Sequence, residues 1–328
     1  MLFTTFVKPI LLIAVASLAG CAVDEPEGYG SDLGTTENPI PSNDSYRVES
    51  RVQIAIEMPA VTAAIAHVRA FSQAGAHTLL TSTGSAPAWI AALPTTLRTG
   101  LEGYIDSELD KVKFQTKTLR QVAGEIANIS DTVVSTFTID SSLWITPTSV
   151  QHSLSDLNFT PSSIDIVIPI GGLKADGIMQ RPTVSVGAGG ALELGDHQFS
   201  LAFGNHAWQA INLASTTLFG GDIAIIAGID CGAVSRAVAA KCVSGSCVGH
   251  ASELENVCKS GLAALVDDLR AQITPIKLDV VRFASGNARL VDDGFDGVAD
   301  RIVDGTWDAE TDVGQGARKA TATFVAYE

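Results

Sequence analysis

Cysteine spacing constrains this chain more than any other feature. Cys231, Cys242, Cys247 and Cys258 follow the pattern C-x10-C-x4-C-x10-C, symmetric about the Ser244–Gly245 bond. Four cysteines can pair in three ways. If the two ten-residue arms are antiparallel helices joined by Val243-Ser244-Gly245-Ser246, Cys242–Cys247 closes the turn and Cys231–Cys258 ties the open ends. A four-cysteine zinc site, the alternative, usually draws on close C-x2-C pairs, which this pattern lacks. The expectation is a disulfide-stapled helical hairpin over residues 230–272.

The beginning of the chain gives a reason for those thiols to be oxidised. Lys8 supplies the only side-chain positive charge ahead of an apolar run from Ile10 to Ala19. The run is too short to cross roughly 30 Å of hydrocarbon as a helix. It fits the apolar region of a secretory signal instead. Its last residues and the next two, Leu18-Ala19-Gly20-Cys21, resemble the lipobox of bacterial lipoproteins. The resemblance implies a diacylglycerol on the Cys21 thiol, cleavage just before Cys21, and acylation of the new amine. Asp at the next position would imply retention at the inner membrane; Ala22 implies the outer membrane of a Gram-negative-type bacterium. Two or three acyl chains hold stably where one does not, so the membrane partner is reached through lipid. Export also places the remaining thiols where disulfides are the default.

Ala22 to Ser45 carries six acidic residues, no basic ones, and several Gly and Pro. Such a segment cannot bury enough apolar surface to order itself, and it is expected to be a solvated tether. The layout is therefore a signal over 1–20, a lipidated cysteine and acidic tether over 21–45, and one α+β domain over 46–328. The stated charge is −15, and losing Lys8 with the signal takes it to −16. That argues against nucleic acid or anionic lipid headgroups as partners. Only 17% of residues are charged while 46% are hydrophobic, which a large core or a lined cavity would equally explain.

Periodicity gives the elements. Tyr46 to Glu57 alternates, with Tyr46, Val48, Val52, Ile54 and Ile56 on one face of a half-buried strand. Val61, Ile65, Val68 and Phe71 mark a short helix after Pro59. Leu93, Leu97, Leu101 and Ile105 recur every four residues and predict the strongest helix, with Pro94 in its first turn. Leu119, Val122, Ile126 and Ile129 predict another. The texture then turns to period two: Val133, Phe137, Ile139, Leu143 and Ile145 on one strand, Val150 to Phe159 as its antiparallel partner, and Ile164 to Ile170 as a third. Shorter strands are expected at 183–186, 191–194 and 199–203, and a buried apolar segment at 211–229. Ser252-Glu253-Leu254-Glu255 has capping-box spacing and predicts a helix with the stripe Leu254, Cys258, Leu262, Leu265 and Leu269. Strands at 276–284, 288–291, 301–307 and 320–327 form a closing β region over 276–328. The fold class is α+β, a mostly antiparallel sheet with long strands and amphipathic helices before and after it.

Candidate chemistry is sparse. Asp292, Asp296 and Asp300, with Gly297 for the tight turn, match positions of an EF-hand-like calcium loop. Gly294 and Val303 stand where two further ligands belong, so a structural calcium competes with a plain acidic hairpin turn. Gly187-Ala188-Gly189-Gly190 is expected to be a hairpin turn, because strand-like sequence follows it. No G-x-S-x-G, H-E-x-x-H or P-loop occurs. Asp196-His197 and Asn205-His206 lie close in sequence and could orient one another, with no nucleophile evident beside them. Three functions fit. The first is an envelope lipoprotein binding an apolar or lipid-like ligand, with a helix–strand–helix layout loosely similar to tubular lipid-binding domains. The second is a structural or protein-partner-binding lipoprotein whose disulfide hairpin is the contact element. An exported hydrolase without a recognisable motif is the third.

Overall fold

The computed structural model describes residues 39–41, 45–54, 58–82, 87–146, 149–172, 179–243, 246–312 and 317–328, all within the unit Thr36–Glu328. Cys21, the signal and nearly all of the tether lie outside the described residues. So do Ile56 and the Ser244–Gly245 pair.

The first half builds a helical layer. After β1 (Ile40–Pro41), strand β2 (Ser45–Gln53) buries Tyr46, Val48, Ser50 and Val52 and exposes Arg47, Glu49, Arg51 and Gln53. Helix α1 (Pro59–Gln73) opens on Pro59, where a missing N–H costs nothing, and buries Val61, Ala64, Ile65, Val68 and Phe71. Helix α2 (Gly75–Ser82) follows, and the periodicity gave no sign of it. Leu93 falls in the break between α3 (Ala88–Ala91), which carries Ile90, and α4 (Thr95–Leu109), which carries Leu97, Leu101 and Ile105 and has Pro94 at its N-cap. Leu101, Ile105 and Leu109 are buried, but Leu97 is 50% exposed. A repeat of four drifts by about 40° per step against a 3.6-residue helix, so Leu97, three steps from Leu109, is turned by about 120° from it and leaves the buried face. A two-rung hairpin, β3 (Lys113–Phe114) and β4 (Lys117–Thr118), leads into α5 (Leu119–Ser135), whose Thr118–Gln121 capping box is formed.

Val133 belongs to α5, and the strand expected to include it, β5 (Thr136–Thr146), starts three residues later. Val133 stands four residues from both Ile129 and Phe137, a spacing that satisfies helix and strand periods alike. The remaining strands of the middle region are β6 (Ser149–Phe159), β7 (Ile166–Pro169), β8 (Met179–Gln180), β9 (Val184–Val186), β10 (Ala191–Leu194) and β11 (His197–Leu201). Gly187 to Gly190 turns β9 into its antiparallel neighbour β10, as expected. Phe203 begins helix α6 (Phe203–Phe219) rather than ending a strand. No helix among the described residues is long and apolar enough to cross a membrane.

The cysteines pair as Cys231–Cys258 and Cys242–Cys247, with Cα separations of 5.7 and 3.8 Å. The connection between the arms differs from a simple helix–turn–helix. Helix α7 (Cys231–Ala239) is followed by a small β-hairpin, β12 (Cys242–Val243) and β13 (Ser246–Cys247), and only then by α8 (Ala251–Ile273). The Ser252–Glu255 box is not formed. His250 occupies the N-cap with φ 56°, and its Nδ1 meets Glu253 Oε1 at 3.1 Å. After α8, the expected strands at 276–284 and 288–291 are one long strand, β14 (Leu278–Val291). The chain closes with β15 (Val298–Ala299), β16 (Arg301–Asp312) and β17 (Ala317–Tyr327).

The fold is α+β around one large antiparallel sheet, in the order β7-β6-β5-β2-β17-β16-β14-β10-β9. Strand β14 divides its outer edge between β11 and β10, and β6 divides its own between β7 and β8. The sheet curls until β8 touches β11. At one end of the curl the inner face receives helices: Phe137 and Phe159 meet Phe203 of α6 with ring centroids 4.9 and 6.1 Å away. Helix α5 packs against α1 and α6, and α7 against α8. Farther along, the inner face closes on its own side chains. That second region holds the polar cluster.

Candidate functional site

Strand alternation itself delivers polar side chains into this core. On β5, Ser141 shares the inward parity of Phe137, Ile139 and Leu143. On β6, His152 falls between the inward Val150 and Leu154, and on β11, His197 precedes the inward Phe199 and Leu201. Ser141, His152 and His197 are 3%, 1% and 7% exposed. They form a chain: Ser141 Oγ to His152 Nε2 at 2.9 Å, His152 Nδ1 to His197 Nε2 at 2.7 Å, and His197 Nδ1 to the Gly195 carbonyl at 2.9 Å.

The last contact fixes the direction of all three. A carbonyl only accepts, so His197 carries its proton on Nδ1 and, as a neutral ring, accepts at Nε2. His152 must then donate from Nδ1 and accept at Nε2, which leaves Ser141 as the donor. Burial keeps both rings neutral: it pushes His152 down to about 3, with His197 adding to the effect. Burial also lowers His197, against the opposing pull of the Gly195 carbonyl and Asp196. The surroundings are aromatic. Trp307 lies parallel to His152 with centroids 6.0 Å apart, and it stacks on Phe324 at 4.5 Å. Phe199 presents an edge to His152 at 5.1 Å.

This is the bonding order of a serine nucleophile, its base and an orienting group. Attack on a substrate also needs room at the oxygen, and Ser141 is sealed within the sheet. A cleft of ≈ 410 Å³ behind β9 and β10 reaches Gly195 and Asp196 but is not lined by Ser141 or His152. The sequence placed a candidate histidine at 197 and missed its partners. Their signal was a polar residue at an inward strand position, visible only once the strand's parity is known.

The other candidates behave locally. His206 is buried and donates from Nδ1 to the Ala202 carbonyl at 2.9 Å, four residues back, and burial lowers it. In the turn between β14 and β16, Asp292 Oδ2 accepts from Gly297 N at 2.7 Å and Asp300 Oδ2 from Asp293 N at 2.7 Å. Asp296 Oδ1 accepts from Val298 N at 2.9 Å, and Asp293 pairs with Arg301 through two contacts of 2.6 and 2.9 Å. The three aspartates gather on the Gly294 side of the turn, but these oxygens bond the turn's own amides. Among the described residues no three His, Cys, Asp or Glu side chains form a cation cage. A polar groove of ≈ 480 Å³ runs past Arg120, which Asp110 already pairs at 2.8 Å.

No family model, curated protein or solved structure matches this chain. The loose likeness to tubular lipid-binding domains therefore gains no support, and function rests on the geometry above.

Proposed function

We propose that this chain is an exported, lipid-anchored envelope lipoprotein whose α+β body is a structural or partner-binding module. The observation that supports this over a ligand carrier is how little space the apolar cavities among the described residues enclose. Two apolar cavities, one between α2, α4, α7 and α8 and one beneath α1, α5 and α8, measure ≈ 20 and ≈ 10 Å³. Pockets that enclose small molecules span about 300–1,000 Å³. The inner face of the curl is likewise occupied by Trp307, Phe324, Phe199 and the histidine pair. The β12–β13 tip, with Cys242 and Cys247 exposed and bonded to each other, supplies a stiff contact element.

The test is an organic extract of protein purified without detergent exchange, analysed by mass spectrometry after removal of the covalent anchor peptide. The expected result is no stoichiometric lipid or other apolar molecule. A lipid recovered near one mole per mole would overturn the structural reading in favour of ligand binding.

A further inference from the structure

We propose that the His152–His197 pair is an acid-sensitive clasp that holds the curled sheet closed between β6 and β11 and releases it on acidification. Position in the sheet carries the idea. Along the hydrogen-bonded path β6-β5-β2-β17-β16-β14-β11, six strand pairings separate the two histidines. Yet their rings meet at 2.7 Å, across the line where β8 touches β11 without pairing to it. A side-chain bond thus spans a place where the backbone ladder is interrupted.

Protonation acts directly on that bond. The neutral pair has one donor facing one acceptor. A single added proton at His197 Nε2 can be absorbed if His152 moves its own proton from Nδ1 to Nε2, which turns the bond to Ser141 around. Ser141 Oγ then accepts, and its hydroxyl proton loses the His152 acceptor. A second proton leaves two N–H donors and two like charges face to face, and the contact breaks. Among the described residues, the following groups face the pair. Asp196, next to His197, is the acidic group acting on it. From β5 comes Ser141, while Asp140 on the opposite face is paired with Arg47 at 3.2 Å. Strand β16 presents Trp307 and β11 presents Phe199, and from β2 the Tyr46 hydroxyl donates to the Ala299 carbonyl at 2.7 Å.

The sign follows from the depressed values. A histidine held below its unfolded value of about 6.5 stabilises the fold fully above that pH and loses the contribution as pH falls. For His152 the loss runs from there down to about 3. Each pH unit within the window weakens folding by about tenfold for each histidine involved. Carboxylates such as Asp110 and Asp293, held low by their Arg partners, act below about pH 4, where unfolded carboxylates titrate. Between pH 6.5 and 4.5 the clasp is separable from them, and His206, which burial also lowers, contributes equally to wild type and to a His197 variant, so their difference reports the clasp.

The experiment uses the complete mature protein with its disulfides intact. Urea unfolding and amide hydrogen exchange are followed from pH 7 to 4.5, for wild type and for His197→Gln, and ¹⁵N-imidazole spectra are recorded on wild type. The expected wild-type result is a folding equilibrium weakened at least 100-fold, about tenfold per pH unit for one site, with exchange rising first in β6, β8 and β11. His197→Gln should lose at least a tenfold share of that dependence. If this variant does not fold, the wild-type spectra decide: both rings should be neutral Nδ1–H tautomers at pH 7. An unchanged folding equilibrium at pH 4.5, exchange that rises uniformly over the sheet, or a charged ring at pH 7 would each overturn the clasp.

Discussion

Trp307→Ala should lower the unfolding free energy by about 3–5 kcal/mol, the cost of emptying a large buried aromatic site. Trp307 is 1% exposed and lies inside the curl, stacked on Phe324 and parallel to His152. Removing it strips both the ring contacts and the wall that keeps water from the histidine chain. A companion change at Gly305 tests the same packing without creating a hole. A Cβ there would come within 2.4 Å of the Phe324 ring, which lies flat over the glycine to reach Trp307. Gly305→Ala should therefore cost about 1–3 kcal/mol through overpacking. Urea unfolding at pH 7 measures both. A loss below about 1 kcal/mol for Trp307→Ala would mean that the curl is not held from inside.

Replacing Cys231 and Cys258 together by serine should cost about 3.5 kcal/mol, and replacing Cys242 and Cys247 about 2 kcal/mol, by the loop-closure entropy of the unfolded chain. The ranking comes from sequence separations of 27 and 5 residues. Packing reinforces it. Cys231 and Cys258 are buried between α7 and α8, whereas Cys242 and Cys247 lie at an exposed tip. Thermal unfolding of the two double variants gives the comparison. Equal losses, or a larger loss for the short loop, would place the stabilisation elsewhere than in chain entropy.

Much of the fold was legible because apolar period and burial coincide. Strand β2 and helices α1 and α5 follow their stripes, and the cysteine symmetry gave both disulfides. Legibility failed where one spacing served two structures. Val133 fitted a helix and a strand, and Leu97 sat in a repeat of four that a helix cannot keep on one face. Gly204 shows a constraint that no pattern carries: a Cβ at this position would come within 2.1 Å of the Ile273 carbonyl, because α6 starts against the end of α8. The polar cluster was half visible. His197 drew notice beside Asp196, but its real partners are 45 residues away at His152 and, through it, Ser141. Only the curl of the sheet brings them together, and curl is a property of the whole ladder. The Asp292–Asp300 turn illustrates the reverse case, in which a ligand-like pattern is also what a self-bonded turn requires.

Location and membrane attachment both depend on the thiol at position 21. The direct measurement is the mass of the N-terminal peptide from native membranes. The expected peptide begins at Cys21 and carries a thioether-linked diacylglycerol and an acylated amine. An unmodified Cys21, or a peptide that still includes residues 1–20, would contradict it.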